Sequence, residues 1–164
     1  LALLPSLPAL AQEDSETITI TMTTKTVIEI ELVPTNWNIG SIKPGELHTT
    51  GATYFTMTNN GNCDLHTYVK GNDVVWSDNP DYKWQLSSDG NSSIGIYALW
   101  YETSDWEASG GLITAEERDF CPSLGLGDSK HFGLKLQAPQ ADYIEGFLAG
   151  GEMETTIIIS GVAT

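Results

Sequence analysis

Apolar and polar residues alternate strictly in two stretches near the start of the chain. Residues 17–23 read Thr-Ile-Thr-Ile-Thr-Met-Thr, and residues 27–33 read Val-Ile-Glu-Ile-Glu-Leu-Val. A period of two residues is typical of a strand with one buried face. The pattern therefore predicts either one long strand bent near residues 24–25 or two successive strands. The apolar face carries Ile18, Ile20, Met22, Ile28, Ile30 and Leu32.

Further short apolar runs follow, separated by residues that favour turns. Lys-Pro-Gly-Glu at residues 43–46 favours a type II turn. Asn-Asn-Gly-Asn at residues 59–62 favours a hairpin, because Asn-Gly accepts positive φ. Residues 102–129 are expected to form a long connection, with one helical turn opened by a capping box at residues 114–117. The expected extended segments are residues 37–42, 49–58, 65–69, 74–76, 82–86, 94–101, 130–137 and 155–162.

Short strands, regular turns and almost no helical periodicity predict an all-β fold. We expect residues 17–164 to form a single antiparallel β-sandwich that is jelly-roll-like, preceded by an extended apolar segment at residues 1–16. Both faces of residues 94–101 are apolar, which predicts a central strand. The Ile-Ile-Ile run at residues 157–159 predicts a strand that is internal or covered by another chain, because an open apolar edge aggregates.

The first residues read LALLPSLPALA and end in Ala-Leu-Ala, the small-x-small pattern that signal peptidase recognises. We therefore expect a secreted protein that is extracellular or held at the cell surface. The run is too short to cross a bilayer as a helix, and Pro5 and Pro8 would interrupt one, so no transmembrane anchor is expected. The segment is either a signal remnant or a donor strand, whose leucines pack on their own domain or on another copy. These interface candidates are Leu1, Leu3, Leu4, Leu7 and Leu10.

The charge balance excludes one class of partner. The 164 residues include 22 acidic and 7 basic side chains, for a net charge of -15. Nucleic acid is excluded because the chain cannot assemble the field of Lys and Arg that phosphate binding needs. An acidic surface either serves solubility alone or attracts divalent cations.

Two cysteines stand far apart in the sequence, and neither belongs to a CxxC pair. In an exported protein Cys63 and Cys121 are expected to form a disulfide, and two buried thiols are the alternative. One N-glycosylation sequon, at Asn91, falls in a predicted turn where a glycan could attach.

No motif provides a nucleophile, a phosphate loop or a zinc site, so we do not expect an enzyme. His48, His66 and His131 lack metal-ligand spacing. No cofactor is expected, with Ca²⁺ as the one candidate ion. The tryptophans either fill the core or form a sugar-binding platform; Trp84 and Trp100 are expected to face inward, and Trp106 to be exposed. The loop carboxylates that could hold Ca²⁺ are Asp78, Asp81, Asp105, Glu107, Glu116, Glu117 and Asp119.

Two stretches carry a family resemblance. Residues 38–46 read NIGSIKPGE and residues 54–62 read YFTMTNNGN. Together they resemble the pattern of the TasA/camelysin family and of archaeal bundling pili, which are secreted jelly-roll subunits. The resemblance implies that residues 1–11 insert as a donor strand into the adjacent subunit, building a homopolymeric fibre of the biofilm matrix. The prolines of residues 1–11 and the cysteine pair depart from the family pattern.

Two functions follow from these observations. The first is a structural subunit of an extracellular filament or pilus, which polymerises head to tail through its N-terminal segment. The second is a secreted monomeric module that binds carbohydrate or cell wall through exposed tryptophan and loop carboxylates.

Overall fold

In a computed structural model the chain forms an all-β structure. The structure describes residues 18–104, 106, 110–141 and 151–164, and these contain twelve strands and no helix. The strands are β1 (Ile30–Val33), β2 (Leu47–Thr49), β3 (Phe55–Asn59), β4 (Leu65–Gly71), β5 (Val74–Trp76), β6 (Asn79–Leu86), β7 (Ile96–Thr103), β8 (Gly111–Ile113), β9 (Arg118–Leu124), β10 (Ser129–Gln137), β11 (Met153–Glu154) and β12 (Ile157–Ala163).

The strands form two sheets that share one core. A nine-stranded sheet follows the order β1-β3-β10-β7-β6-β5-β11, with β2 beside β10 and β8 beside β7. A three-stranded sheet follows the order β12-β4-β9. The predicted all-β sandwich is confirmed, and β7 is central as expected. All strand pairs are antiparallel except β6 and β7, which pair in parallel over a short stretch.

Aromatic rings from both sheets meet in the middle of the sandwich. The ring of Phe120 on β9 packs edge-on against Tyr101, Trp106 and Phe132, with centroid distances of 4.8, 5.0 and 5.1 Å. Phe132 in turn stacks on Phe55 at 5.1 Å. Ring pairs of this kind add about 0.5–1.5 kcal/mol each to the free energy of burial. This aromatic group holds the three-stranded sheet against the larger one.

A buried hydroxyl group repairs an irregularity between β4 and β9. The register of this pair shifts on either side of Thr67, so part of the regular ladder is lost there. The Thr67 hydroxyl donates to the carbonyl of Cys121 at 3.2 Å and accepts the N–H of the same residue at 3.0 Å. Both backbone groups of Cys121 are thereby satisfied where water cannot reach them.

The turn at residues 60–64 does not form the predicted hairpin. It carries the chain from β3 in the large sheet to β4 in the small one. The reason lies in Asn59, whose buried side-chain amide donates to the carbonyl groups of Cys63, Leu124 and Gly125. These three bonds draw the turn across the sandwich, towards the residues that follow β9.

Residues 102–129 are more ordered than the sequence suggested. They contain β8 and β9, so the prediction of a long connection is wrong. The predicted helical turn at residues 114–117 is also wrong, since these residues form the bend between the two strands. The Thr114 hydroxyl donates to the carbonyl of Glu116 at 3.1 Å instead of capping a helix. The predicted type II turn at residues 43–46 agrees with Gly45, which has a φ of 69°.

Candidate functional site: an N-terminal segment and an open sheet edge

The segment before β1 carries apolar side chains that nothing covers within the described protomer. Ile18, Ile20 and Met22 are 87%, 77% and 86% exposed. The predicted half-buried strand at residues 17–23 is therefore wrong where the structure describes it, because residues 18–29 form no strand and pair with none of the described strands over a regular ladder. The alternating pattern is present in the sequence, but its apolar face has no partner among the described residues.

Hydrogen bonds to the turn at residues 60–64 fix the place where this segment leaves the sandwich. The Asn62 side chain donates to the carbonyl of Lys25 at 2.8 Å and accepts the N–H of Val27 at 2.7 Å. The backbone N–H of Asn62 donates to the Val27 carbonyl at 3.0 Å, and that of Asn60 donates to the Glu29 carbonyl at 2.9 Å. We call this end of the sandwich, formed by residues 60–64 and 125–128, the turn end.

The strand β12 lies at the edge of the three-stranded sheet. It pairs with β4 on one side, and none of the described residues pairs with its other side. Ile157 and Ile159 point towards the core but are only half-buried, while Ile158 and Val162 are exposed on the outer face. Among the described residues β12 is thus an edge strand and not an internal one, and its covering by another chain stays a prediction.

The edge strands of the two sheets approach each other near the turn end. A Cβ atom on Gly161 would meet Cδ1 of Ile30 at 2.8 Å. The side chains of Ile30, Leu32, Ile157 and Ile159 all pack against the core from this side while remaining partly accessible. The side of the sandwich between β1 and β12 is therefore apolar and incompletely covered.

The opposite side of the sandwich has a different chemistry. A cleft of about 470 Å³ opens between β8 and β9 and is lined mainly by polar side chains. Burial first, and then the charge of Asp119, raise the pKa of the Tyr101 hydroxyl in this cleft. Beside it, Nε2 of His66 lies 3.0 Å from Oδ1 of Asp119, and the His66 ring stacks on Tyr68. The cleft residues are Tyr68, Tyr101, Leu112, Glu117, Arg118 and Asp119.

The predicted interface residues Leu1, Leu3, Leu4, Leu7 and Leu10 lie outside the described residues. The apolar positions that the structure does place on this segment begin at Ile18. The strict alternation in the sequence marks these apolar positions. Such alternation is typical of a strand whose apolar face is buried in its own protomer, so it does not predict their exposure.

The predicted disulfide between Cys63 and Cys121 is not formed in the structure. Cys121 lies on β9 opposite Thr67, whereas Cys63 lies in the turn that precedes β4. The Cys121 side chain is buried, and its Sγ lies 3.4 Å from the carbonyl of Ser123.

The tryptophans that the sequence singled out do not all lie where they were predicted. Trp106, predicted to be exposed, packs against Phe120 and is partly buried. Trp100, predicted to face inward, lies on the outer face of β7 with the Lys135 ammonium 4.9 Å from its ring centroid. Trp84 packs against the core as expected.

Asn91 is exposed in the turn between β6 and β7, as the sequence predicted. Its side-chain Nδ2, the atom that would carry a glycan, donates to Asp89 at 3.0 Å. This contact, together with the backbone N–H of Asn91 and the Ser87 hydroxyl, lowers the pKa of Asp89. The glycan itself stays a prediction.

The described residues contain no group of three or more His, Cys, Asp or Glu side chains placed to hold a metal ion. His48, His66 and His131 lie on β2, β4 and β10. Of the carboxylates predicted as Ca²⁺ ligands, Asp78 and Asp81 lie near the turn between β5 and β6. Glu116 and Glu117 lie in the bend before β9 and Asp119 lies in β9, while Asp105 and Glu107 fall outside the described residues.

Over the described ranges no helix is long and apolar enough to span a bilayer. Comparison with protein-family models found no family that matches the chain, and comparison with curated proteins found no significant sequence match.

Proposed function

We propose that the protein is the structural subunit of an extracellular filament, and that it polymerises head to tail through its N-terminal segment. The observation that carries this proposal is the exposure of Ile18, Ile20 and Met22 on one face of an alternating segment. A strand with one apolar face gains stability when that face is buried against a sheet. Burial of each such side chain contributes roughly 1.5–3 kcal/mol.

The geometry of the contact favours a chain of subunits over a closed pair. The N-terminal segment and the open β12 edge are different surfaces, so a contact between them is heterologous. Heterologous contacts that do not close into a ring generate filaments. The small-x-small pattern at the end of residues 1–11 supports export of the subunit, and hence a polymer outside the cell.

The net charge of -15 affects how such subunits associate. Like-charged bodies repel one another, so the contact must rely on apolar burial and main-chain hydrogen bonds. Salt screens the repulsion, with a Debye length of about 10 Å at 0.1 M. Assembly is therefore expected to increase with ionic strength.

Negative-stain electron microscopy and sedimentation of the full chain test the proposal. The full chain is expected to form filaments that sediment, and a variant without residues 1–24 is expected to remain a folded monomer. The truncation keeps all twelve strands of the described residues and the contacts of residues 25–29 with the turn end. The proposal would be contradicted if the full chain stayed monomeric at every ionic strength, or if the truncated variant formed filaments.

The cleft between β8 and β9 supports a second candidate function, a monomeric module that binds carbohydrate. It combines two tyrosine rings, which can stack on a sugar, with Arg118 and Asp119, which can donate hydrogen bonds to its hydroxyl groups and accept hydrogen bonds from them. Loss of glycan binding in Asp119→Asn, in a chain that remains monomeric, would favour this function over the filament.

A further inference from the structure

We propose that the strand donated to the next copy is residues 18–23 and that its acceptor is the open edge of β12. This inference rests on the proposed function and names both partners of its contact. It moves the inserted strand from residues 1–11, which the resemblance implied, to a stretch without proline. The first argument comes from the edges of the two sheets.

Open strand edges attract other strands, and proteins usually protect them with charges, prolines or short length. The other edge of the small sheet, β9, carries Arg118, Asp119 and Pro122. In the large sheet, β1 is four residues long and precedes Pro34. The strands β2, β8 and β11 have only two or three residues each.

β12 has none of these protections. Its seven residues read Ile-Ile-Ile-Ser-Gly-Val-Ala, with no charge and no proline. Alternate residues therefore present their N–H and C=O groups to the open side, and no proline removes one of these donors. A long, apolar and unprotected edge on a folded domain is explained if another strand covers it.

The chemistry of residues 18–23 fits that edge. Their apolar side chains alternate with threonines, so Ile18, Ile20 and Met22 can face the core while the threonines face water. On β12 the inward positions are Ile157, Ile159 and Gly161, which lie in the incompletely covered side of the sandwich. Extended, the six residues span about 20 Å, most of the length of β12.

The same protomer cannot supply this strand without reversing its own chain. Residue Ala163 of β12 pairs with Leu65 at the turn end, and Ile30 of β1 pairs with Asn59 at the same end. β12 therefore runs towards the turn end, and β1 runs away from it. Bonds to Asn60 and Asn62 hold residues 25–29 at the turn end, so the chain enters β1 from that end and would have to reverse to lie beside its own β12.

The same directions favour insertion into a neighbour. In a stack of equally oriented copies, the segment of one copy runs parallel to its own β1 and reaches the copy beyond the turn end. It therefore meets the neighbour's β12 in the antiparallel sense, which is the more stable pairing. The donor would lie beside Ile157 and Ile159 and extend the three-stranded sheet by one strand.

A pair of matched variants tests the donor. Ile20→Asp places a charge on the face that would be buried, and Thr21→Asp places the same charge on the opposite face. Both residues are exposed and lie outside the strands, so both variants should keep the circular dichroism and melting temperature of the parent. We expect the sedimenting fraction to fall at least ten-fold in Ile20→Asp and less than two-fold in Thr21→Asp. Equal effects of the two variants would overturn the assignment.

Disulfide cross-linking tests the acceptor. Thr21→Cys is combined with Ile158→Cys or Val162→Cys on β12, or with Ser123→Cys on β9 as the matched control. All three acceptor positions are exposed. We expect oxidised filaments to yield a ladder of linked subunits with one of the β12 positions and none with Ser123→Cys or the parent chain. Filaments that link only through β9 would overturn the inference and leave the proposed function standing, whereas a chain that forms no filaments would overturn both.

Discussion

Asn62 and Val27 exchange hydrogen bonds in both directions. The Val27 N–H donates to the Asn62 side chain at 2.7 Å, and the Asn62 N–H donates to the Val27 carbonyl at 3.0 Å. The two residues are 35 positions apart, so this contact joins the N-terminal segment to the turn end. Together with the bond from the Asn60 N–H to the Glu29 carbonyl, it fixes the place where the segment leaves the sandwich.

Removal of the Asn62 side chain should release the segment locally. In Asn62→Ala the Val27 amide loses its acceptor, and a hydrogen bond of this kind contributes about 1 kcal/mol. We expect the exchange rate of the Val27 amide to rise about five- to ten-fold in native-state hydrogen exchange. Asn62→Asp keeps an acceptor oxygen and should leave this amide protected. Unchanged exchange in Asn62→Ala would show that the contact does not hold the segment.

The hydroxyl group of Thr67 should matter more than its methyl group. Thr67→Val leaves the N–H and the carbonyl of Cys121 without their partner in a buried place, which costs about 2–3 kcal/mol of unfolding free energy. Thr67→Ser keeps the hydroxyl and loses one methyl, so its cost should be about 1 kcal/mol. Urea denaturation of both variants measures the difference. Equal losses would mean that the hydroxyl does not repair the ladder.

Tyr97 should make the fold sensitive to alkaline pH. Burial raises its pKa to about 12, above the value of about 10 in an unfolded chain. The folded state therefore favours the neutral phenol, and the resulting stabilisation of roughly 2–3 kcal/mol is complete below pH 10 and is lost as the pH rises towards 12.

The matched variant for this test is Tyr97→Phe, which loses the hydrogen bond to the Asn72 carbonyl and should be about 1 kcal/mol less stable at neutral pH. It retains no phenol to ionise, so its stability should fall less between pH 10 and pH 12. Chemical denaturation at several pH values measures both curves. Parallel curves for the two proteins would contradict the assigned pKa.

Reducing agent should leave the stability of the protein unchanged. The structure does not form the disulfide between Cys63 and Cys121 that the sequence suggested. Thermal melting with and without dithiothreitol should therefore give the same midpoint, and Cys63→Ser should melt within about 2 °C of the parent. A fall of the midpoint by several degrees on reduction would show that the two thiols meet.

The all-β class could be predicted from the sequence because it follows from local signals. The period of two in residues 27–33 and the apolar faces of residues 94–101 depend only on neighbouring residues. These signals recovered most strands of both sheets. They failed at β8 and β9, because Gly111, Asp119 and Pro122 interrupt the alternation of apolar and polar residues. Other residues of these two strands nevertheless pack on the core.

The sheet order could not be predicted, because it depends on contacts between residues that are distant in sequence. The Asn-Asn-Gly-Asn signal correctly placed a turn at residues 59–62. The destination of the chain after that turn depends on the bond between Asn59 and Leu124, 65 positions away. The exposure of Ile20 could not be predicted for the same reason, since alternation defines an apolar face without naming the surface that covers it.

The opposite directions of β1 and β12 give such a polymer two chemically unlike tips. One tip would present a bare β12 edge, and the other a bare segment of residues 18–23. A subunit without this segment could still bind the second tip, where it would stop elongation. The first tip would continue to grow, so a small amount of truncated protein would limit filament length from one direction only.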